Sequence, residues 1–305
     1  MNSEQIQTTF SAIVNFLLKA KIKNAFDKIE LMVGELQMGN YTDRCDELQQ
    51  NYRYLLQYYI DGVDDPQRKV VYNRLVSRMY VLASELREEL LFRNSTAFEF
   101  IQKRYFPHKL RFSNYDDLYD ALTYFHRQKE LLEAENRASG NDMYRIRSNF
   151  EKLLPDLFSI LWLSTRYVQK ERQLYLNIQD KSYPGVIEKS LSVSALTLNL
   201  WRMFDEQKLM LLLDSCLSDV PQVRQRALTG LCFVIARHND FIPYFPAIRN
   251  RLVLMADDPH FSEHLSNIMV QIATTMATDK ISRKLREEIL PEVMKMSPLL
   301  KDRIA

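Results

Sequence analysis

Apolar side chains recur every three or four residues along most of the chain, and this spacing predicts amphipathic helices. The pattern is clearest over residues 207–237, where two apolar runs flank Ser218, Asp219 and Pro221. Because short polar side chains cap helices and proline fits a first helical turn, the segment predicts two helices joined by a tight turn. Their apolar positions are Leu209, Leu212, Leu213 and Cys216 in the first helix, and Ala227, Leu228, Leu231, Val234 and Ile235 in the second.

The same turn pattern returns twice further along the chain. Asp258 and Pro259 repeat it 38 residues after Pro221, and Ser297 with Pro298 repeats it after a further 39 residues. An amphipathic segment precedes each turn, at 244–256 and at 284–296. Two short helices cannot bury their apolar faces alone, so a repeat of about 40 residues predicts stacked helical hairpins.

The turn at 219–224, with sequence DVPQVR followed by Ala227 and Leu228, resembles the signature of HEAT repeats. The second unit departs from it, since HFSEH occupies 260–264 where the family has Val-Arg. The resemblance implies an all-α superhelix of hairpins, HEAT/armadillo-like towards the C-terminus, in which the second helix of each unit lines a partner-binding surface. The residues that it places on that surface are Arg224, Arg226, His260 and His264.

The remaining organisation is predicted from helix-breaking residues. Residues 186–305 form the HEAT-like region, whose last repeat is incomplete, and DKSYPG at 180–185 separates it from an irregular helical region over 1–180. Tyrosine-rich helix pairs in that region weakly resemble tetratricopeptide hairpins without matching their motif. Gly39-Asn40 is expected to end the second helix, and Pro155 to kink or break a helix over 143–163.

The apolar residues near the end of the chain, such as Val293, Leu299 and Ile304, have no following helix to cover them. Terminal repeats of stacked hairpins need a polar outer face or a neighbour. We therefore expect further repeats, a partner protein or a second copy of the chain to cover this end.

Composition favours a binding protein of the cytoplasm. The net charge of +2 argues against nucleic acid as the main partner, because nucleic-acid-binding domains usually have a clustered basic excess. Only three cysteines occur, and there is neither a signal-peptide pattern nor an apolar run long enough to cross a membrane. Glycine-rich phosphate loops and nucleophile motifs are also absent. We therefore expect a non-catalytic scaffold without cofactors, which binds another protein or peptide.

Two other functions are weighed against this one. His260 and His264 fit the H-x-x-E-H pattern of some zinc hydrolases, which need a third, acidic ligand downstream. The candidates for that ligand are Asp279, Glu287, Glu288, Glu292 and Asp302. Because the pattern falls where a repeat helix would begin, a solvated helix start is the preferred interpretation.

The second alternative is a nucleic-acid-binding protein, such as a HEAT-like DNA glycosylase. Residues 103–112 interleave cations with aromatic rings, as a phosphate-binding loop would, but three aspartates follow by position 120. We expect the aromatic rings of this segment to pack inside with its lysines in water. Trp162 and Trp201, the only tryptophans, are likewise expected in the core.

Overall fold

The computed structural model describes residues 1–62, 66–112, 114–134, 140–180, 183–284 and 287. All regular secondary structure in these residues is helical, which confirms the predicted all-α class. The helices are α1 (Ser3–Leu18), α2 (Ile22–Leu36), α3 (Gly39–Ile60), α4 (Arg68–Asn94), α5 (Phe98–Tyr105), α6 (Tyr115–Ala134), α7 (Gly140–Glu151), α8 (Leu154–Leu163), α9 (Gln169–Asp180), α10 (Val186–Arg202), α11 (Glu206–Ser215), α12 (Pro221–His238), α13 (Pro246–Ala256) and α14 (Pro259–Lys284), with short 3₁₀ turns at Phe106–His108 and Ile242–Tyr244.

The chain divides into two compact units, Met1–Val253 and Leu254–Ala305. The predicted boundary at 180–185 coincides with the loop between α9 and α10, which pack on each other within the first unit. In the described part of the chain, none of the helices combines the length and hydrophobicity that a membrane crossing requires.

The first three helices pack around the long helix α4. A capping box between Asn2 and Gln5 starts α1, because each residue's side chain accepts from the other's backbone N–H. The prediction that Gly39-Asn40 ends the second helix is wrong. Gln37 adopts the left-handed conformation after α2, and Gly39 already begins α3. A residue in the left-handed conformation commonly ends a helix, and Gln37 takes here the position that glycine usually has, with its N–H bonded to the Val33 carbonyl oxygen.

Helix α4 is buried along most of its length, and it carries charges into the interior. It contacts α1, α2, α3 and α5, and its buried residues include Glu85, Arg87 and Glu88 as well as many apolar side chains. Tyr80 lies at its centre, stacked on Phe241 at 3.8 Å between ring centroids. This aromatic contact joins the N-terminal helices to the loop that follows α12.

Helix α10 is the middle helix of a second layer. It packs against α8 on one side and α12 on the other. Thr197 and Gly230 mark the closest approach of α10 to α12, where the threonine side chain leaves no room for a Cβ atom at position 230. The predicted break at Pro155 is confirmed, since α7 ends at Glu151 and α8 begins at Leu154 with proline in its first turn.

The two helices predicted over 207–237 are confirmed as α11 and α12, which pack on each other. Their buried residues include most of the predicted apolar face. The predicted side-chain cap on α12 is wrong, because Val220 occupies the capping position without such a bond. Ser218 instead accepts from the N–H of Val220 and organises the turn.

In the second unit, α14 begins at Pro259 as the repeated turn pattern predicts, and the Asp258 side chain accepts from the N–H of His260. Most described side chains of α14 are exposed. The predicted turn at Ser297 and Pro298 and the incomplete last repeat lie outside the described residues, as does the predicted helix over 284–296 except for residues 284 and 287.

Candidate functional site

The outward face of α10 carries an apolar stripe. Ile187, Leu191, Leu198 and Trp201 follow one another at helical spacing, with Ser194 in the middle of the row. The opposite face, which includes Val193, Leu196 and Leu200, is fully buried against neighbouring helices. Ile187 is 61% exposed and Leu198 is 45% exposed, so the second apolar face is open to solvent.

Helices α8 and α12 form the walls of a groove over this stripe. Two adjoining cavities, of about 770 and 620 Å³, share Gln222 and Arg226. We name their common surface the α10 groove. At 1.5 Å per residue, the stripe from Ile187 to Trp201 is about 21 Å long, or about four helical turns. The lining includes Leu154, Phe158, Ile187, Leu191, Ser194, Leu198, Gln222, Arg226 and Phe233.

Trp201 lies just beyond one end of the α10 groove, next to the lining residue Phe233, and the expectation that it is buried is wrong. Its side chain is 45% exposed, meets Phe233 edge to face at 6.2 Å, and lies beneath Arg237. The physical reason is the end of α10 at Arg202, after which Met203 and Phe204 turn into the core. Trp162, the other tryptophan, is half-buried between Phe98 and Phe158.

The structure separates the two predicted binding residues of α12. Arg226 is exposed in the α10 groove, where its Nη1 donates to Ser194 Oγ at 2.8 Å. Arg224 is half-buried, and its Nη1 donates to the carbonyl oxygen of Ser218 at 2.9 Å. Arg226 therefore presents charge at the middle of the groove, whereas Arg224 stabilises the turn before α12.

The two predicted histidines belong to the second unit. His260 and His264 are both exposed in the first two turns of α14. Within the described residues, no group of three His, Cys, Asp or Glu side chains is placed to hold a metal ion. Of the five acidic candidates for a third zinc ligand, Glu288, Glu292 and Asp302 lie outside the described residues.

The expectation for residues 103–112 is reversed at two positions. Lys103 is partly buried, and its Nζ donates to Glu88 at 2.8 Å and to the Thr165 hydroxyl at 2.6 Å. Tyr105, expected inside, is 59% exposed. The buried Glu88 carboxylate draws the lysine inward, because an unpaired buried charge would be strongly destabilising.

Glu88 is the centre of a buried charge network. Its Oε1 lies 2.8 Å from Lys103 Nζ and 3.0 Å from Arg202 Nε. Although burial opposes it, the positive charges of Arg202 and Lys103 hold the pKa of Glu88 below its usual value. The network therefore keeps its carboxylate ionised and ties α4 to α5 and α10.

A second buried polar contact fixes the C-terminal end of α8, the helix that forms one wall of the groove. The Asn199 side-chain amide donates to the carbonyl oxygens of Leu161, Trp162 and Ser164. Lys208 Nζ donates to the Thr165 carbonyl oxygen at 2.7 Å and to Asn199 Oδ1 at 2.8 Å. Burial lowers the pKa of Lys208 to about 7.

Periodicity did not reveal this contact, because Asn199 interrupts an apolar run by a single residue and Lys208 follows three polar residues at the start of another run. That interruption is the signal that a sequence argument could have used. A polar side chain on a buried helical face needs a buried partner.

No family model, curated protein or solved structure matches this chain.

Proposed function

We propose that this chain is a non-catalytic scaffold that binds another protein, and that the α10 groove receives an amphipathic helix of that partner. The exposed apolar stripe of α10 is the observation that carries the proposal. Contiguous exposed apolar surface flanked by polar groups is typical of protein-binding sites. A groove about four turns long suits a helix that inserts side chains at positions i, i+3 or i+4, and i+7.

The charges at the groove favour an acidic partner helix. Arg226 lies at its middle and Arg237 covers Trp201 at its end, whereas Glu151 is the acidic residue among the described lining residues. Tryptophan and arginine side chains are the groups that most often dominate binding energy at protein interfaces. The partner helix is therefore expected to carry carboxylates beside its apolar stripe.

The architecture we propose is a superhelix of helical hairpins, HEAT/armadillo-like over residues 186–305 and irregular over 1–180. The α11–α12 hairpin and the start of α14 one repeat later support it. A cytoplasmic setting is part of the proposal, and it is supported by the free thiols of Cys45, Cys216 and Cys232. Coverage of the last repeat by a partner or a second copy also remains a proposal.

The proposal is tested by affinity capture from the native cell extract with the wild-type chain and with the double variant Trp201→Ala/Phe233→Ala. We expect a protein partner that is retained after nuclease treatment and is lost with the groove variant. The matched control is Tyr124→Ala/Tyr144→Ala, which removes two exposed aromatic rings that do not line the groove.

Equal recovery of that partner by the wild-type chain and the groove variant would contradict the α10 groove as its site. Partners that disappear on nuclease treatment would instead favour the nucleic-acid alternative. Binding to nucleic acid would also weaken steeply as salt rises, because phosphate contacts release counterions.

A further inference from the structure

A second cleft lies along α4, with a volume of about 970 Å³. Its floor is one face of that helix, from Val70 through Ser77 to Glu85. Residues of α3, of the loops that precede α9 and α11, and of the segment 243–250 form its walls. It shares no described lining residue with the α10 groove, so the inference below stands apart from the proposed function.

Positive charge predominates in this cleft, which we name the basic cleft. Its described lining contains six cationic side chains, Arg44, Lys69, Arg74, Arg78, Arg166 and Arg249, against the three carboxylates of Glu85, Asp205 and Glu206. A cleft lined mainly by charges of one sign concentrates ligands of the opposite sign. The ligand is therefore expected to be anionic.

Several of these charges already have partners within the protein. Glu85 is buried and forms ion pairs with both Arg44 and Arg166. Arg78 pairs with Glu47, and Asp205 accepts from the N–H of Lys208 at the start of α11. These paired groups form the end and sides of the cleft, and they are not available to bind a ligand.

Three cations are left for a ligand. Lys69, Arg74 and Arg249 are exposed, and within the described residues none of them forms an ion pair. Val70 and Val81 of α4 and Pro243 add apolar surface to the lining of the cleft. These three cations outnumber the remaining carboxylates of the cleft, those of Asp205 and Glu206.

The geometry points to an extended acidic peptide as the ligand of the basic cleft. Carboxylates of such a peptide would pair with Lys69 and Arg74 of α4 and with Arg249 of α13, and its apolar side chains would pack on Val70 and Val81. The floor from Val70 to Glu85 spans about 22 Å, the length of about seven extended residues.

The aromatic side chains of the cleft disfavour single-stranded nucleic acid as the alternative ligand. Non-specific binding of single strands depends on exposed rings on which bases stack. Tyr167, Phe204 and Phe245 line the cleft but are buried, and Tyr244 is half-buried. The described lining thus offers charge and aliphatic surface without an exposed stacking platform.

The test measures fluorescence anisotropy with the full chain and a labelled peptide of about seven residues that alternates aspartate and leucine. The variant Lys69→Glu/Arg74→Glu/Arg249→Glu reverses the unpaired cations, and we expect its affinity to fall by about tenfold or more. The corresponding triple glutamine variant is expected to lose less. A peptide with lysine in place of aspartate should bind more weakly than the acidic peptide.

The matched control is Lys19→Glu/Lys21→Glu/Lys23→Glu, which makes the same change in net charge at exposed sites outside the cleft. Equal losses in the two charge-reversal variants would overturn the proposal, because bulk charge would then explain binding. Wild-type affinity in the cleft variant would overturn it as well. Tighter cleft-dependent binding of labelled oligothymidylate would assign the cleft to nucleic acid. If the acidic peptide does not bind the basic cleft but a partner is still captured through the α10 groove, this inference is wrong and the proposed function is unaffected.

Discussion

Helices α4 and α10 depart from the rule of apolar residues inside and polar residues outside in opposite ways. Helix α4 buries Glu85, Arg87 and Glu88, whereas α10 exposes Ile187, Leu198 and Trp201. The Glu85 and Glu88 carboxylates of α4 have partners within the protein, so their role is structural. The apolar stripe of α10 remains open on its outer side. The comparison teaches that a side chain with a partner inside the protein has a structural role, whatever its residue type. A side chain without such a partner is available for binding.

The largest expected effect comes from breaking the charge network of α4. Glu88→Ala leaves Lys103 and Arg202 without their shared carboxylate, and we expect the free energy of unfolding to fall by about 3–5 kcal/mol. Urea denaturation provides the measurement. The control Glu133→Ala breaks an exposed ion pair with Lys129 and should cost less than about 0.5 kcal/mol. If the free energy of unfolding fell by similar amounts in both variants, burial would not determine how much an ion pair contributes to stability.

Acid should destabilise the contact between α4 and α12. Tyr80 donates to His238 Nδ1 at 2.8 Å, while His238 Nε2–H donates to the Leu200 carbonyl oxygen at 2.9 Å. The bond from Tyr80 needs an unprotonated Nδ1, whereas Nε2–H can donate in either protonation state. Burial lowers the pKa of His238 to about 4, although the bond to Leu200 opposes this shift. The pKa rises towards 6.5 on unfolding, so the unfolded chain binds the proton first.

The stability that neutral His238 contributes is therefore fully present above pH 6.5 and is lost as the pH falls towards 4. The free energy of unfolding should decrease by up to about 3 kcal/mol over this window. A series of urea titrations at different pH values measures the slope, and His238→Gln should reduce it. A slope identical in wild type and variant would assign the acid sensitivity to other groups.

The α10 groove should respond in binding rather than in stability. Trp201→Ala removes a half-exposed ring, so we expect the free energy of unfolding to change by less than about 1 kcal/mol. Affinity for a synthetic acidic amphipathic helix should fall by about 2 kcal/mol, since a tryptophan anchor is lost. Calorimetric titration and urea denaturation of the same samples separate the two effects. A large loss of stability would mark Trp201 as a core residue.

The smallest predicted effects distinguish the two arginines of α12. Arg226→Ala should weaken binding of the same helix by about 1 kcal/mol, because one charge at the groove is lost, while stability stays unchanged. Arg224→Ala should lower stability by about 1 kcal/mol, because the Ser218 carbonyl oxygen loses its donor, while affinity stays unchanged. The opposite pattern would exchange their roles.

Local patterns in the sequence were sufficient for several features of the fold. Helical periodicity predicted the all-α class, and proline with its preceding turn residues located the starts of α12 and α14 and the break before α8. These features depend on interactions between near neighbours in sequence, which the fixed backbone angle of proline and the hydrogen bonds of the turns determine. The resemblance to HEAT repeats placed Arg226 on a partner-binding surface, and in the structure its side chain is exposed on α12.

The positions of Trp201, Lys103, Asn199 and Lys208 depended on the tertiary structure. Trp201 follows the apolar spacing of α10, yet the packing of α8 and α12 decides that this face stays open. Lys103 lies inward because Glu88, 15 residues earlier, is buried beside it. The sequence by itself thus determined which segments are helical and where they begin. Only the packing of those helices decided which charges are paired and which apolar side chains remain exposed, because those outcomes depend on contacts between residues distant in sequence.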